Sequence, residues 1–222
     1  MSSIKKQIFA RFGSAPFFLG LIFFLPAGSL KFWEAWVYMG ILLLPMFFTV
    51  LYFLKNDPEL LERRMRMKEK EKGQNLLVYS ANLFFIAGFL LPGFDFRYQW
   101  SQIPFYIILV ADVIVLAGYL LFFLVMKENS YLSRTVEVDE GQKLITTGPY
   151  AVIRHPMYSS VILLFFFAPI ALGSWWGLIP FIPLPLILML RIRTEEKVLE
   201  RDLAGYEDYR QKVRFRLIPL VW

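Results

Sequence analysis

The sequence predicts an all-α integral membrane protein of about six transmembrane helices, and three observations carry that prediction. The 222 residues are 57% hydrophobic with a mean hydropathy of +0.51, above the roughly half-apolar composition of a soluble domain. The excess is gathered into runs near residues 15–30, 34–54, 76–92, 104–126, 157–173 and 175–191, as bilayer-crossing helices require. Of the 24 Lys and Arg residues, all but Lys31 and Arg97 fall in segments that six spans would place on one side. Positive charge accumulates on cytoplasmic loops, so both termini and that whole side are expected in the cytosol.

Each element follows in order. Lys5, Lys6 and Arg11 precede the first run, and no small-residue cleavage site follows it, so it is expected to stay as a span. The second and fourth runs reach the ~20 residues that cross a bilayer unaided; the others are shorter and need neighbours. Between the second and third, Lys55–Lys72 mixes its basic residues with Asp57, Glu59, Glu62, Glu69 and Glu71, which reads as a solvated, helical loop. Juxtamembrane charge of this kind sits against anionic lipid headgroups, so the net charge of +6 needs no nucleic-acid partner. Asp112 lies in the middle of the fourth span, where a charge costs roughly 2.5–3.5 kcal/mol on insertion scales, so it should face the bundle interior. Pro169 interrupts the fifth span and Pro180, Pro183 and Pro185 the sixth. They should bend a tight hairpin that turns at Gly173-Ser174.

The residues that could carry chemistry cluster in the last third. There is no cysteine and His155 is the only histidine, which excludes disulfides, thiolate chemistry and a multi-histidine metal site; no metal is expected. No Gly-x-Gly-x-x-Gly occurs, so the soluble nucleotide-binding architecture is excluded as well. Leu144–Tyr158 is polar and turn-rich, with Gly148-Pro149 marking a turn and Pro156 suited to the first turn of a helix capped near His155. The N–H groups and positive end of that helix would attract an anion, with Arg154 beside it. The same residues also suit a plain cap and interfacial aromatics. Arg191–Arg201 continues the sixth span with Arg191 and Glu195 at i,i+4 spacing, an ion pair or ordinary snorkelling at a membrane exit. The tail from Gly205 to Trp222 reads as a helix across the same face, with Leu217–Trp222 folding back as a lid or serving as an anchor.

The ordered set Leu144-Ile145-Thr146-x-Gly148-Pro149-Tyr150, Arg154-His155-Pro156-x-Tyr158, Arg193-x-Glu195-Glu196, Gly205-Tyr206-x-x-Tyr209 and Arg216-x-x-Pro219 resembles the isoprenylcysteine carboxyl methyltransferase family and its prokaryotic relatives. The resemblance covers about residues 135–222 and divides the chain into four N-terminal spans with their loop, 1–134, and a C-terminal core, 135–222. It implies S-adenosylmethionine as cofactor, surrounded by Gln142, Lys143, Leu144, Ile145, Tyr150, His155, Pro156, Met157 and Tyr158, with Glu195 or Glu196 as a further ligand. It implies Arg193 as the catalytic residue that binds a substrate carboxylate, and a lipid-like or lipidated acceptor reached from the membrane. The family often has histidine where this chain has Gln142, and its longer members carry an extra acidic residue after Glu196. A carboxylate is ionised at neutral pH, so its methylation needs no general base. The alternatives are a phospholipid or amine N-methyltransferase, an NADPH-dependent membrane reductase of the sterol-reductase type, and a membrane protein without enzymatic activity.

Overall fold

The computed structural model describes residues 3–65, 74–133, 138 and 141–222. Among them the regular structure is helical throughout, and all six apolar runs form helix. They are α1 (Ser3–Ala27), α2 (Trp33–Asn56), α4 (Gln74–Tyr98), α5 (Phe105–Glu128), the pair α6 (Pro156–Phe166) with α7 (Ala168–Ala171), and a 3₁₀ segment (Trp176–Phe181) running into α8 (Leu184–Asp202). A short α3 (Pro58–Met65) follows α2, and α9 (Tyr206–Lys212) precedes the tail. The stretches 33–56, 105–128 and 176–202 are long and apolar enough to cross a membrane, and 12–27 and 156–171 are shorter apolar helices. Helical structure in the Lys55–Lys72 loop is found over α3, whose first turn is capped by Asp57 Oδ1 accepting the Leu60 N–H at 3.0 Å. Residues 66–73 of that loop lie outside the described residues.

Apolar side chains face both ways, as a bundle surrounded by hydrocarbon requires. Phe48, Leu83, Val113 and Leu186 are more than half exposed on the outside, a load of apolar surface that a soluble monomer does not carry. Inside, Phe23, Tyr38 and Phe89 meet edge to face or tilted among α1, α2 and α4. Helix α5 is the central post, touching α2, α6 and α7. It approaches α6 at Gly118, where a β-carbon would stand 2.7 Å from Leu163 Cβ, so only glycine permits this contact. Asp112 is buried on α5 as expected, and neither carboxylate oxygen has a hydrogen-bond partner among the described residues.

The prolines act where the sequence placed them. Helix α6 stops at Phe166, α7 restarts with Pro169 in its first turn, Pro180 lies in the 3₁₀ segment, and Pro183 and Pro185 begin α8. The turn between the two halves is made by Gly173, whose φ of +72° is open to glycine, and by Ser174. Ser174 Oγ donates to the buried Asp95 carboxylate at 2.5 Å, and the Ser101 N–H and hydroxyl donate to the same group at 2.7 and 2.6 Å. That clamp closes the end of the bundle holding Lys31 and Arg97. At the other, basic end, Arg63 donates to the Ser130 carbonyl at 2.7 Å and Arg154 reaches the carbonyls of Val213 and Arg214 at 2.7 and 2.9 Å. Those contacts gather α3, the chain after α5, the start of α6 and the tail at one end.

Candidate active site

The chain enters the basic end through a local device of turn residues. Gly148 sits at φ +57° with a position for a β-carbon only 3.0 Å from the Glu128 carboxylate, and Pro149 opens a 3₁₀ turn over Gly148–Ala151. The Thr147 hydroxyl donates to Glu128, pinning the turn to the end of α5. Four residues after that turn ends, His155 caps α6 with Pro156 as its first residue, where a missing N–H is harmless. The N–H groups of Arg154 and His155 donate at 2.9 Å to the carbonyls of Phe215 and Arg216, and Ser159 Oγ donates to the Leu217 carbonyl at 2.6 Å. The C-terminal tail thus takes the N–H donors of the two residues that lead into this helix. It folds back as a strap across the start of α6.

One carboxylate locks three segments together. Glu196 on α8 is 4% exposed. Its Oε1 accepts from Arg154 Nη2 at 2.7 Å and Nε at 2.8 Å, and its Oε2 pairs with Arg216 Nη2 at 2.8 Å and Nε at 2.9 Å. His155 Nε2 lies 3.3 Å from Glu196 Oε1. Two paired guanidiniums on one carboxylate satisfy a buried charge that would otherwise be prohibitive. The Leu144–Tyr158 segment and the turn of α8 at 193–196 therefore meet in one place.

A cavity of about 760 Å³ opens beside this lock, within the size range of small-molecule sites. Gln142, Lys143, Leu144, Ile145, Tyr150, His155, Met157, Tyr158 and Glu195 line it. Pro156, Glu196 and Arg193 are not among its lining residues: Pro156 is buried in the first turn of α6, Glu196 is held in the lock, and Arg193 is exposed. The geometric reason for the last is the helix itself, since two residues along α8 rotate a side chain by about 200°. The arginine of this turn that faces the cavity is Arg191. Its Nε donates to the Tyr158 hydroxyl at 3.0 Å, and that hydroxyl donates to Glu195 Oε2 at 2.5 Å. His155 Nδ1 stands 3.8 Å from Glu195 Oε1. The cavity wall thus carries an arginine, a phenol, a carboxylate and an imidazole in sequence.

A second group of tyrosines closes the cup. Tyr150 accepts from Asn129 Nδ2 at 3.0 Å, and the Tyr209 hydroxyl donates to the Tyr150 carbonyl at 2.7 Å. Burial pushes the Tyr150 phenol up, with the Asn129 hydrogen bond pulling down, Glu195 and Tyr209 pushing further up and Arg64 pulling down. Burial likewise raises Tyr209 to about 12, so both phenols stay protonated at neutral pH. The Tyr206 hydroxyl is buried on the cavity wall with no hydrogen-bond partner among the described residues, an opening for a polar ligand. Below the cup the same cavity is lined by Leu19, Leu42, Met46, Leu164, Phe165 and Leu188 from α1, α2, α6 and α8. It is polar at one end and greasy at the other.

Sequence reasoning singled out the strip, the Arg-His-Pro turn and the glutamate pair, and it named Arg191, Tyr206 and Arg216 without giving them a role in the site; it did not name Asn129. For Arg191 a signal existed, its i,i+4 spacing to Glu195. For Asn129 none did.

Residues 106–204 match the family model of the phospholipid methyltransferases. No curated protein matches the chain. The matched stretch starts inside α5 and ends after α8, so it includes the Arg-His-Pro turn, Tyr158, Arg191 and both glutamates while leaving out α1 to α4 and the tail. With the apolar helices around it, that stretch supports a membrane methyltransferase.

Proposed function

We propose that the protein transfers the methyl group of S-adenosylmethionine to the polar head of a lipid-like acceptor at the cytosolic face of the membrane, both termini lying on that side. The observation that carries the reading is the single cavity joining a polar cup at the basic end to an apolar well between the helices. The donors and acceptors of the cup fit the cofactor. The Glu195 carboxylate suits an ammonium or ribose hydroxyls, Tyr150 and Tyr158 offer ring faces to the adenine or sulfonium, and the Tyr206 hydroxyl has no hydrogen-bond partner among the described residues. Bound there, the cofactor supplies an electrophilic methyl group. The rest falls to the protein's own residues: Tyr158 fixes Arg191 and Glu195, the strap and the lock exclude water, and the apolar well aligns the acceptor.

One reading of the acceptor is carboxyl O-methylation of the isoprenylcysteine type, with Arg191 as the cavity-facing positioner in the role the motif assigned to Arg193. A second reading, N-methylation of a phospholipid amine, is favoured by the family match. Titration calorimetry of the purified protein with S-adenosylhomocysteine and with NADPH, followed by transfer of labelled methyl from the cofactor to a fractionated native lipid extract, tests the proposal. Binding of the homocysteine nucleoside and label in a lipid fraction is expected. Binding of NADPH alone would replace the methyltransferase with a reductase. Label released by mild base marks an ester, and base-stable label marks an amine.

A further inference from the structure

The cavity also has a cationic side chain that lies outside the matched stretch. Arg64 lines the cavity, and it comes from α3. Its neighbours Leu60 and Leu61, 0% and 4% exposed, are packed in the cluster that holds Val125, Met126, Tyr150 and Met157, and Asp57 caps the helix. The backbone carrying Arg64 is therefore seated on the cup itself. The guanidinium lies over the Phe122 ring, 5.5 Å from its centroid, and reaches the Ser133 carbonyl at 3.5 Å. Phe122 stands six residues before the end of α5, which sets the charge about 9 Å down from the basic end of that helix. That is the polar end of the cavity, above its apolar well, and a planar guanidinium matches phosphate well.

We propose that Arg64 anchors the phosphate of a phospholipid acceptor, placing its tails in the apolar well and its head beside Tyr158 and Glu195. The assignment rests on the methyltransferase reading and favours its phospholipid branch. It makes α3, rather than the matched core, the element that selects the headgroup. Arg191 and Glu195 then serve the reacting group and Arg64 the group that stays unchanged.

The test measures binding, not turnover. Protein loaded with S-adenosylhomocysteine in detergent is titrated with fluorescent phosphatidylethanolamine and with the matching diacylglycerol, which lacks the phosphate. The wild type should bind the phospholipid at least about tenfold more tightly, Arg64→Gln should remove that preference, and Arg64→Lys should retain part of it, with the affinity for S-adenosylhomocysteine unchanged in both. Inorganic phosphate at millimolar concentration should compete weakly; if it displaces the phospholipid completely, the site takes free phosphate and the lipid assignment falls. Equal binding of the two lipids by the wild type, or an Arg64→Gln protein with the wild-type preference, overturns the proposal. So does a variant that loses S-adenosylhomocysteine instead, because Arg64 would then serve the cofactor. Failure of the wild type to bind S-adenosylhomocysteine at all strikes the methyltransferase reading, while the lipid comparison without it still decides on Arg64.

Discussion

Each end of the bundle buries a carboxylate, and the two are satisfied by opposite means. Asp95, 2% exposed, is clamped by neutral donors, the hydroxyls of Ser101 and Ser174 and the Ser101 N–H. Glu196, 4% exposed, is held by the guanidiniums of Arg154 and Arg216. The neutral clamp ties two loops together and ends there. The charged lock ties the start of α6, the turn of α8 and the tail, and it fixes the rotation of α8 so that the preceding residue, Glu195, faces the cavity. A fully paired buried carboxylate is thus the frame, and the incompletely enclosed carboxylate beside it is the working group.

Breaking the lock should have the largest effect on stability. Glu196→Ala leaves two buried or half-buried guanidiniums without their carboxylate, a loss of about 3–5 kcal/mol. Unfolding in mixed micelles should show it, together with faster proteolysis of the tail after residue 213. A variant that unfolds like the wild type would mean that the tail is held by its backbone hydrogen bonds alone. The clamp at the far end is the next test. Asp95→Ala strands the donors of Ser101 and Ser174, at about 1–3 kcal/mol for a buried group left unpaired. The comparison predicts that this variant keeps its affinity for S-adenosylhomocysteine, whereas Glu196→Ala loses it even at temperatures where it stays folded.

The sequence exposed the lock and the clamp unequally. The Arg-His-Pro turn was legible because its determinants are local: Gly148 needs its left-handed conformation, Pro156 suits a helix start, and the hydrophobic runs on either side set the depth. The helical architecture was legible for the same reason, since the length of an apolar run acts on neighbours in the chain. What could not be read was rotation and long-range pairing. Whether Arg191 or Arg193 faces inward depends on the angle of α8 about its axis, which is set by Glu196 meeting Arg154, 42 residues away, and Arg216, 20 residues away. Ser101 gave no signal and Ser174 only that of a turn, both being loop serines that meet only when the fold brings Asp95 between them.

A smaller effect is expected where a neutral hydrogen bond joins the frame to the cup. Tyr209→Phe removes the bond to the Tyr150 carbonyl and should cost about 0.5–1.5 kcal/mol. With its phenol raised to about 12 by burial, Tyr209 is protonated throughout the working range. The stability difference between the variant and the wild type should therefore not change between pH 6 and pH 9, and a difference that does change over that interval would place another titrating group in the contact.

The smallest effect sharpens the comparison furthest. Arg193 is exposed on α8, and Arg193→Gln should change stability by no more than about 0.5 kcal/mol. Arg191→Gln removes the cavity-facing partner of Tyr158, and a misplaced acceptor can slow transfer by about a hundredfold. Measured side by side with labelled cofactor, the Arg191 variant should lose turnover while still binding S-adenosylhomocysteine, and the Arg193 variant should keep both. The reverse result would require α8 to turn by about half a revolution when the acceptor enters. The lock forbids that turn, because Glu196 cannot rotate with the helix and keep both arginines. The two variants therefore test the frame as well as the site: an essential Arg193 is incompatible with a Glu196 lock that stays closed.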